Sequence, residues 1–238
     1  MTSGGPALLL VAHGSADQAA QQATAAIAAR VGAGRSGTPV RLAYLDHAEP
    51  TLDAALAELA PAPVVVVPLL LAHAFHVRVD IDGAAERARS AGQPVGVSDV
   101  LAPHPLLLEA AADLLAAAAV PAGAAVVLAA AGTTDDAANE VVRGIAADLG
   151  RRRGTPATAA FLTATTPTLA EALAGRPGPT AVVPWLLAPG RFARGTAQAA
   201  AAAGAVCTDI VGARPALAAI VWERYDEAAA ALARQKVS

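Results

Sequence analysis

Leu8-Leu-Leu-Val-Ala-His-Gly-Ser-Ala-Asp17 decides the fold, because it occurs twice. The second copy is Val126-Val-Leu-Ala-Ala-Ala-Gly-Thr-Thr-Asp135. Each copy is a short apolar run that ends in a glycine, a hydroxyl residue and an aspartate. A run this short, bounded by turn residues, reads as a buried strand. Working outward, Glu49-Pro-Thr-Leu-Asp-Ala-Ala-Leu56 matches Thr166-Pro-Thr-Leu-Ala-Glu-Ala-Leu173. Val65-Val-Val-Pro-Leu-Leu-Leu-Ala72 matches Ala181-Val-Val-Pro-Trp-Leu-Leu-Ala188. Ser98-Asp-Val-Leu-Ala-Pro-His-Pro105 matches Thr208-Asp-Ile-Val-Gly-Ala-Arg-Pro215. The matches keep their order and nearly their spacing, so the chain is read as two homologous domains, 1–120 and 121–238, joined near 119–124.

Within the first repeat, strands are expected at 8–12, 40–44, 64–70 and 95–101. Helices are expected at 17–31, 51–59, 79–90 and 105–117. Near-continuous apolar strands suit a parallel sheet covered by helices on both faces. Strands alternating with helices make each domain an open, mainly parallel α/β sheet flanked by helices. Ligands of such sheets gather beyond the carboxyl ends of the strands.

The chain has 238 residues, of which 55% are hydrophobic and only 3% aromatic. The core must therefore be built from Ala, Val and Leu. A mean hydropathy of +0.47 with 16% charged residues argues against disorder. A net charge of −3, with no basic aromatic stretch, argues against nucleic acid as a partner. The lone Cys207 excludes an intrachain disulfide and a cysteine-based zinc site, and fits a cytoplasmic location. Residues 1–6 lack the basic start of a secretory leader. The apolar run 64–74 is too short to cross a bilayer and is interrupted by Pro68, so no membrane partner is expected. Gly-x-Gly-x-x-Gly, Walker A and Gly-x-Ser-x-Gly patterns are absent, so neither a nucleotide nor a serine nucleophile is required.

All five histidines, His13, His47, His73, His76 and His104, lie in the first repeat. Ala131 stands opposite His13, Phe192 opposite His76 and Thr166 opposite Glu49. The second copy thus builds the same fold without imidazoles, which favours a functional role for some of them. His13 follows the first strand, beside Gly14, which permits close backbone approach, and Ser15, which can cap the next helix. His76 follows the third strand at the same sheet edge. Two neutral imidazoles there make a plausible divalent-metal site. Glu49 serves either that site or the positive end of the following helix. His73 is either a third ligand or a loop residue packed on Leu71. His47 and His104 are expected to be structural or exposed. Asp80 is expected to start a helix and cap it, or to orient His76. Arg78, Arg191 and Arg194 are candidates to pair with carboxylates of an anionic ligand.

Val11-Ala-His-Gly-Ser15, Ala48-Glu-Pro-Thr-Leu52 and the segment Pro68-Leu-Leu-Leu…His76-Val-Arg-Val-Asp-Ile81 together resemble the CbiX/SirB-type sirohydrochlorin chelatases, in their two-domain form. The resemblance spans both halves. It implies a chelatase-like fold whose duplicated halves enclose one tetrapyrrole cleft. It implies an enzyme that inserts Fe²⁺ or Co²⁺ into sirohydrochlorin without ATP, on the way to sirohaem or cobalamin. The metal is then a substrate, and no permanent cofactor is implied. The family's two functional histidines match His13 and His76, and its acidic residue before proline matches Glu49; the two histidines are expected to bind the metal and relay protons, with Glu49 assisting. Gly14, Ser15, Arg78, Arg191 and Arg194 are the expected tetrapyrrole contacts. The family's loop before the second histidine usually carries glycines, whereas here it reads Ala72-His-Ala-Phe-His76. That departure motivates two alternatives: a tetrapyrrole or metal carrier without turnover, and a chelatase-like enzyme with another porphyrinoid or another metal-binding substrate. A monomer and a homodimer are both compatible with the duplication.

Overall fold

The computed structural model describes residues 5–73, 75–176 and 178–235, without the side chains of Phe75, His76 and Ala213. The N-terminal repeat contains β1 (Ala7–Ala12), α1 (Gln18–Gly34), β2 (Val40–Tyr44), α2 (Leu52–Leu59), β3 (Val64–Pro68), α3 (Phe75–Ser90), β4 (Val95–Val97) and α4 (Pro105–Ala117). The C-terminal repeat contains β5 (Ala125–Ala130), α5 (Asp136–Arg153), β6 (Ala157–Phe161), α6 (Leu169–Leu173), β7 (Thr180–Trp185), α7 (Arg191–Ala202) and β8 (Val206–Cys207). A 3-10 turn at Val211–Ala213 then precedes α8 (Ala216–Gln235). The strands form two parallel sheets, ordered β2-β1-β3-β4 and β6-β5-β7-β8.

The central strands explain the order. Every residue of β1 and β3 is buried, as a strand paired on both sides and covered on both faces requires. On one face Ala7, Leu9 and Val11 pack with Val64 and Val66 against Leu52 and Leu56 of α2 and Ile81, Ala84 and Ala85 of α3. Full burial of a Leu or Val side chain contributes about 2 kcal/mol, so this alternation sets the register. The second sheet repeats the arrangement with Val127, Ala129 and Val182 against Leu169, Leu173 and Ala200.

Three expected boundaries differ. β3 ends at Pro68 rather than at 70, and β4 is three residues long rather than reaching 101. α3 begins at Phe75, not at 79. Asp80 therefore lies inside the helix and is not its cap. The cap of α1 also differs from the expected one. Asp17 accepts from the Ala19 N–H, while Ser15 Oγ accepts from the Asp17 N–H one step upstream.

The compact units differ from the expected division near 119–124. One comprises the chain up to Leu101 together with the stretch from Leu217 onward, and the other comprises Ala102–Ala216. The last helix of each repeat thus belongs to the other repeat's unit. Burial is the reason. The face of α4 formed by Leu107, Ala110, Ala111, Leu114 and Leu115 is covered in the C-terminal unit, against α5 and β7. α8 belongs to the N-terminal unit, where Trp222 Nε1 donates to Val31 O (3.1 Å), Arg224 Nε to Val100 O (3.0 Å) and Tyr225 Oη to Pro6 O (2.6 Å). Its backbone passes close enough to β4 that a Cβ on Gly96 would lie 3.4 Å from Ala228 O. The Arg35 guanidinium pairs with both oxygens of Asp226 and sits 4.2 Å from the Trp222 ring centroid.

Candidate metal and tetrapyrrole site

β1 delivers His13 to the carboxyl edge of the N-terminal sheet. Its side chain is exposed, and its carbonyl accepts from the Asp46 N–H at 3.0 Å. Gly14 adopts φ +94°, and a Cβ there would lie 1.7 Å from Asp46 O. Gly132 has φ +84°, and its Cβ would lie 2.3 Å from Thr163 O. This glycine is therefore required in both repeats by the crossing of two backbone segments. Ser15 is half-buried and engaged in the turn, where its carbonyl accepts from Gln21 Nε2 at 2.8 Å.

Glu49 is exposed, and its Oε2 accepts from the Thr51 N–H at 2.9 Å, where Thr51 caps α2. The matching N–H in the second repeat, that of Thr168, donates instead to Glu171, three residues further on. Hydrogen bonding by the backbone and then the hydroxyl of Thr168 holds the Glu171 carboxyl below the usual range. The first repeat has Ala54 where Glu171 stands. The same cap N–H is thus satisfied from upstream in one repeat and from downstream in the other.

His76 lies by its backbone in the first turn of α3; its side chain is outside the described residues. Arg78 is the fourth residue of α3, and Arg194 is the fourth of α7. Both repeats therefore keep an arginine at this position while only one keeps the histidines. Arginines in a first helical turn lie at the positive end of the dipole, an arrangement that becomes favourable when an anion is present. Arg78 pairs with Asp82 at 3.5 Å. Arg191 opens α7 with its guanidinium 5.4 Å from the Phe192 ring centroid.

Between the end of β3, α3 and the segment after β4 lies a cavity of about 320 Å³. Leu70, Val77, Ile81 and Val97 supply its apolar wall, and His73, Arg78, Asp82, Ser98 and Asp99 its polar wall. His73 Nε2 lies 2.8 Å from Asp99 Oδ1. Asp99 was not among the expected site residues. The available signal was its recurrence as Asp209 in the second repeat, directly after a strand. The remaining histidines have local roles. His104 caps α4, its Nδ1 accepting from the Leu106 N–H at 3.1 Å, and His47 is exposed beside Asp46 at 3.2 Å. Burial and the nearby Asp209 push the Cys207 thiol up, which disfavours the reactive thiolate. Among the described residues, no three His, Cys, Asp or Glu side chains converge on one point.

Two parallel four-stranded sheets built from a duplicated repeat define a chelatase-like α/β protein, with imidazole and guanidinium groups at the sheet edges. The CbiX family model matches residues 7–118 and again 125–228, and the chain belongs to that family. Among solved structures, SirB from Bacillus subtilis with Fe³⁺ is 27% identical, with a TM-score of 0.81 over 95% of this chain and 96% of that one. CbiX, described as the terminal enzyme for biosynthesis of sirohaem in denitrifying bacteria, is 27% identical, with a TM-score of 0.73 over 93% and 99%. The sirohydrochlorin chelatase SirB from Bacillus subtilis subspecies spizizenii, in complex with cobalt, shares the fold at 24% identity, with a TM-score of 0.81 over 94% and 95%. No curated protein sequence matches. No helix among the described residues is long and apolar enough to cross a membrane.

Proposed function

We propose that the protein is a sirohydrochlorin chelatase, inserting Fe²⁺ or Co²⁺ into the macrocycle without ATP in sirohaem or cobalamin biosynthesis. The observation that carries this reading is the end-to-end correspondence with SirB and CbiX in both repeats, combined with histidines confined to one of them. Insertion exchanges one M²⁺ for two pyrrole N–H protons. The protein must therefore hold a metal loosely, accept protons and orient an anionic ring. His13 and His76 hold the metal as neutral nitrogen donors, which suit both ions. A sparse donor set lets the ring nitrogens displace the protein. Glu49 assists at the start of α2. The backbone at Gly14 and Ser15 gives close approach, and Arg78, Arg191 and Arg194 pair with ring carboxylates. The N-terminal repeat thus carries the chemistry, and the C-terminal repeat contributes anion binding. The metal passes through as substrate, no cofactor is retained, and the protein works in the cytoplasm.

The test is metallation of sirohydrochlorin by the purified chain with each metal in turn, followed by the change in the tetrapyrrole absorption bands. Multiple turnovers support the reading. Stoichiometric binding without rate enhancement indicates a carrier and overturns it.

A further inference from the structure

The metallation chemistry leaves one requirement unmet by the metal ligands. A ring nitrogen that holds a metal has committed its lone pair and cannot take a proton at the same time. Each insertion nevertheless releases two protons from the pyrrole nitrogens. We propose that His73 and Asp99 form a proton-accepting dyad for this reaction, separate from the groups that hold the metal. The proposal rests on the chelatase reading above.

Asp99 Oδ1 lies 2.8 Å from His73 Nε2, so the carboxylate stands where it stabilises a protonated imidazole. A carboxylate beside Nε2 favours the tautomer with its proton there, which leaves the Nδ1 lone pair available. A pyrrole N–H proton transferred to Nδ1 gives an imidazolium beside the Asp99 carboxylate, with the pyrrole electron pair left on the ring nitrogen for the metal. The side chains are 40% and 63% exposed, so the proton can leave to water and reset the dyad. Arg78 and Asp82 of α3 are the other charged groups lining the same cavity, and they pair with each other at 3.5 Å. His73 lies in the loop from β3 to α3, three residues before His76, at the sheet edge that carries His13.

The second repeat supports the assignment. Asp209 retains the position of Asp99, but Pro189 stands in the place of His73, as Ala131 and Phe192 stand in the places of His13 and His76. His73 is therefore lost together with the functional histidines, while the carboxylate that would orient it remains. Asp99 acts as a positioning residue and His73 as the acceptor.

The test uses the full chain and steady-state metallation of sirohydrochlorin with Co²⁺. His73→Ala is expected to lower kcat about 100-fold, in the range of general acid–base contributions, with KM for Co²⁺ within about twofold of the parent. Imidazole added to the buffer is expected to restore part of that loss. His73→Gln keeps a donor for Asp99 but offers no proton acceptor, so it should lose turnover with an unchanged melting temperature. Asp99→Asn is expected to lower kcat by about tenfold, again at constant KM. Three results overturn the proposal while leaving the chelatase reading intact: unchanged kcat in both His73 variants, a loss that imidazole does not restore, or a rise of about tenfold in KM for Co²⁺, which would make His73 a metal ligand. A parent protein without turnover overturns both.

Discussion

Gly14→Ala tests whether the glycine beside His13 is held by the fold as well as by the ligand. Two costs add. At φ +94° an L side chain is strained by about 1–2 kcal/mol. The new Cβ would also lie 1.7 Å from Asp46 O, far inside contact distance, so the 45–46 backbone must move by more than 1 Å. That movement weakens the bonds from Leu45 N–H to Ala12 O and from Asp46 N–H to His13 O, both 3.0 Å. At about 1 kcal/mol each, the total reaches about 3–4 kcal/mol. Gly92→Ala supplies the control. Its φ is +87°, but nothing lies within 4 Å of the added Cβ, so only the strain of about 1–2 kcal/mol applies. Chemical denaturation should therefore place Gly14→Ala about 2 kcal/mol below Gly92→Ala. Gly132→Ala, with its Cβ 2.3 Å from Thr163 O, should behave like Gly14→Ala. Equal losses for Gly14→Ala and Gly92→Ala would refute the close-approach argument.

Glu49→Ala removes the acceptor for the Thr51 N–H and should cost about 0.5–1 kcal/mol, lowering the melting temperature by about 2 °C. Adding Ala54→Glu rebuilds the cap as Glu171 does in the second repeat, so stability should return while metallation does not. Recovered metallation would reduce Glu49 to a capping role. The hydrogen bond and charge of Arg35 hold the Asp226 carboxyl below the usual aspartate range. The pair's contribution is full above the ordinary aspartate value and is lost as pH falls through the depressed one. Asp226→Asn should therefore be less stable than the parent at neutral pH, and the difference should shrink below roughly pH 4. His104→Ala removes the α4 cap and should destabilise the C-terminal unit by about 1 kcal/mol, whereas His104→Asn should restore most of it. A melting curve for each variant checks both.

The sheet cores were legible because an uninterrupted apolar run such as Leu8-Leu-Leu-Val11 has few alternatives to a covered parallel strand. The repeat carried that reading into the second half. The start of α3 was less legible, since Phe75-His-Val-Arg78 carries no acidic first turn or local cap signal to mark a boundary. The exchange of α4 and α8 had no sequence signal at all. Both helices bury an apolar face, and nothing local chooses which sheet that face will meet. The pairing of His73 with Asp99 was hidden for a related reason. It depends on two loops converging at the sheet edge, 26 residues apart. The histidine asymmetry pointed to the N-terminal repeat, yet it did not distinguish His104, a helix cap, from His73, a cavity residue.

The central claim is metal insertion dependent on His13 and His76. The most direct measurement compares Co²⁺ insertion into sirohydrochlorin by the parent, His13→Ala and His76→Ala, each at saturating tetrapyrrole and with matched melting temperatures. The account predicts many turnovers per parent chain and a loss of at least about 100-fold in each variant. Turnover unchanged in both variants would contradict it.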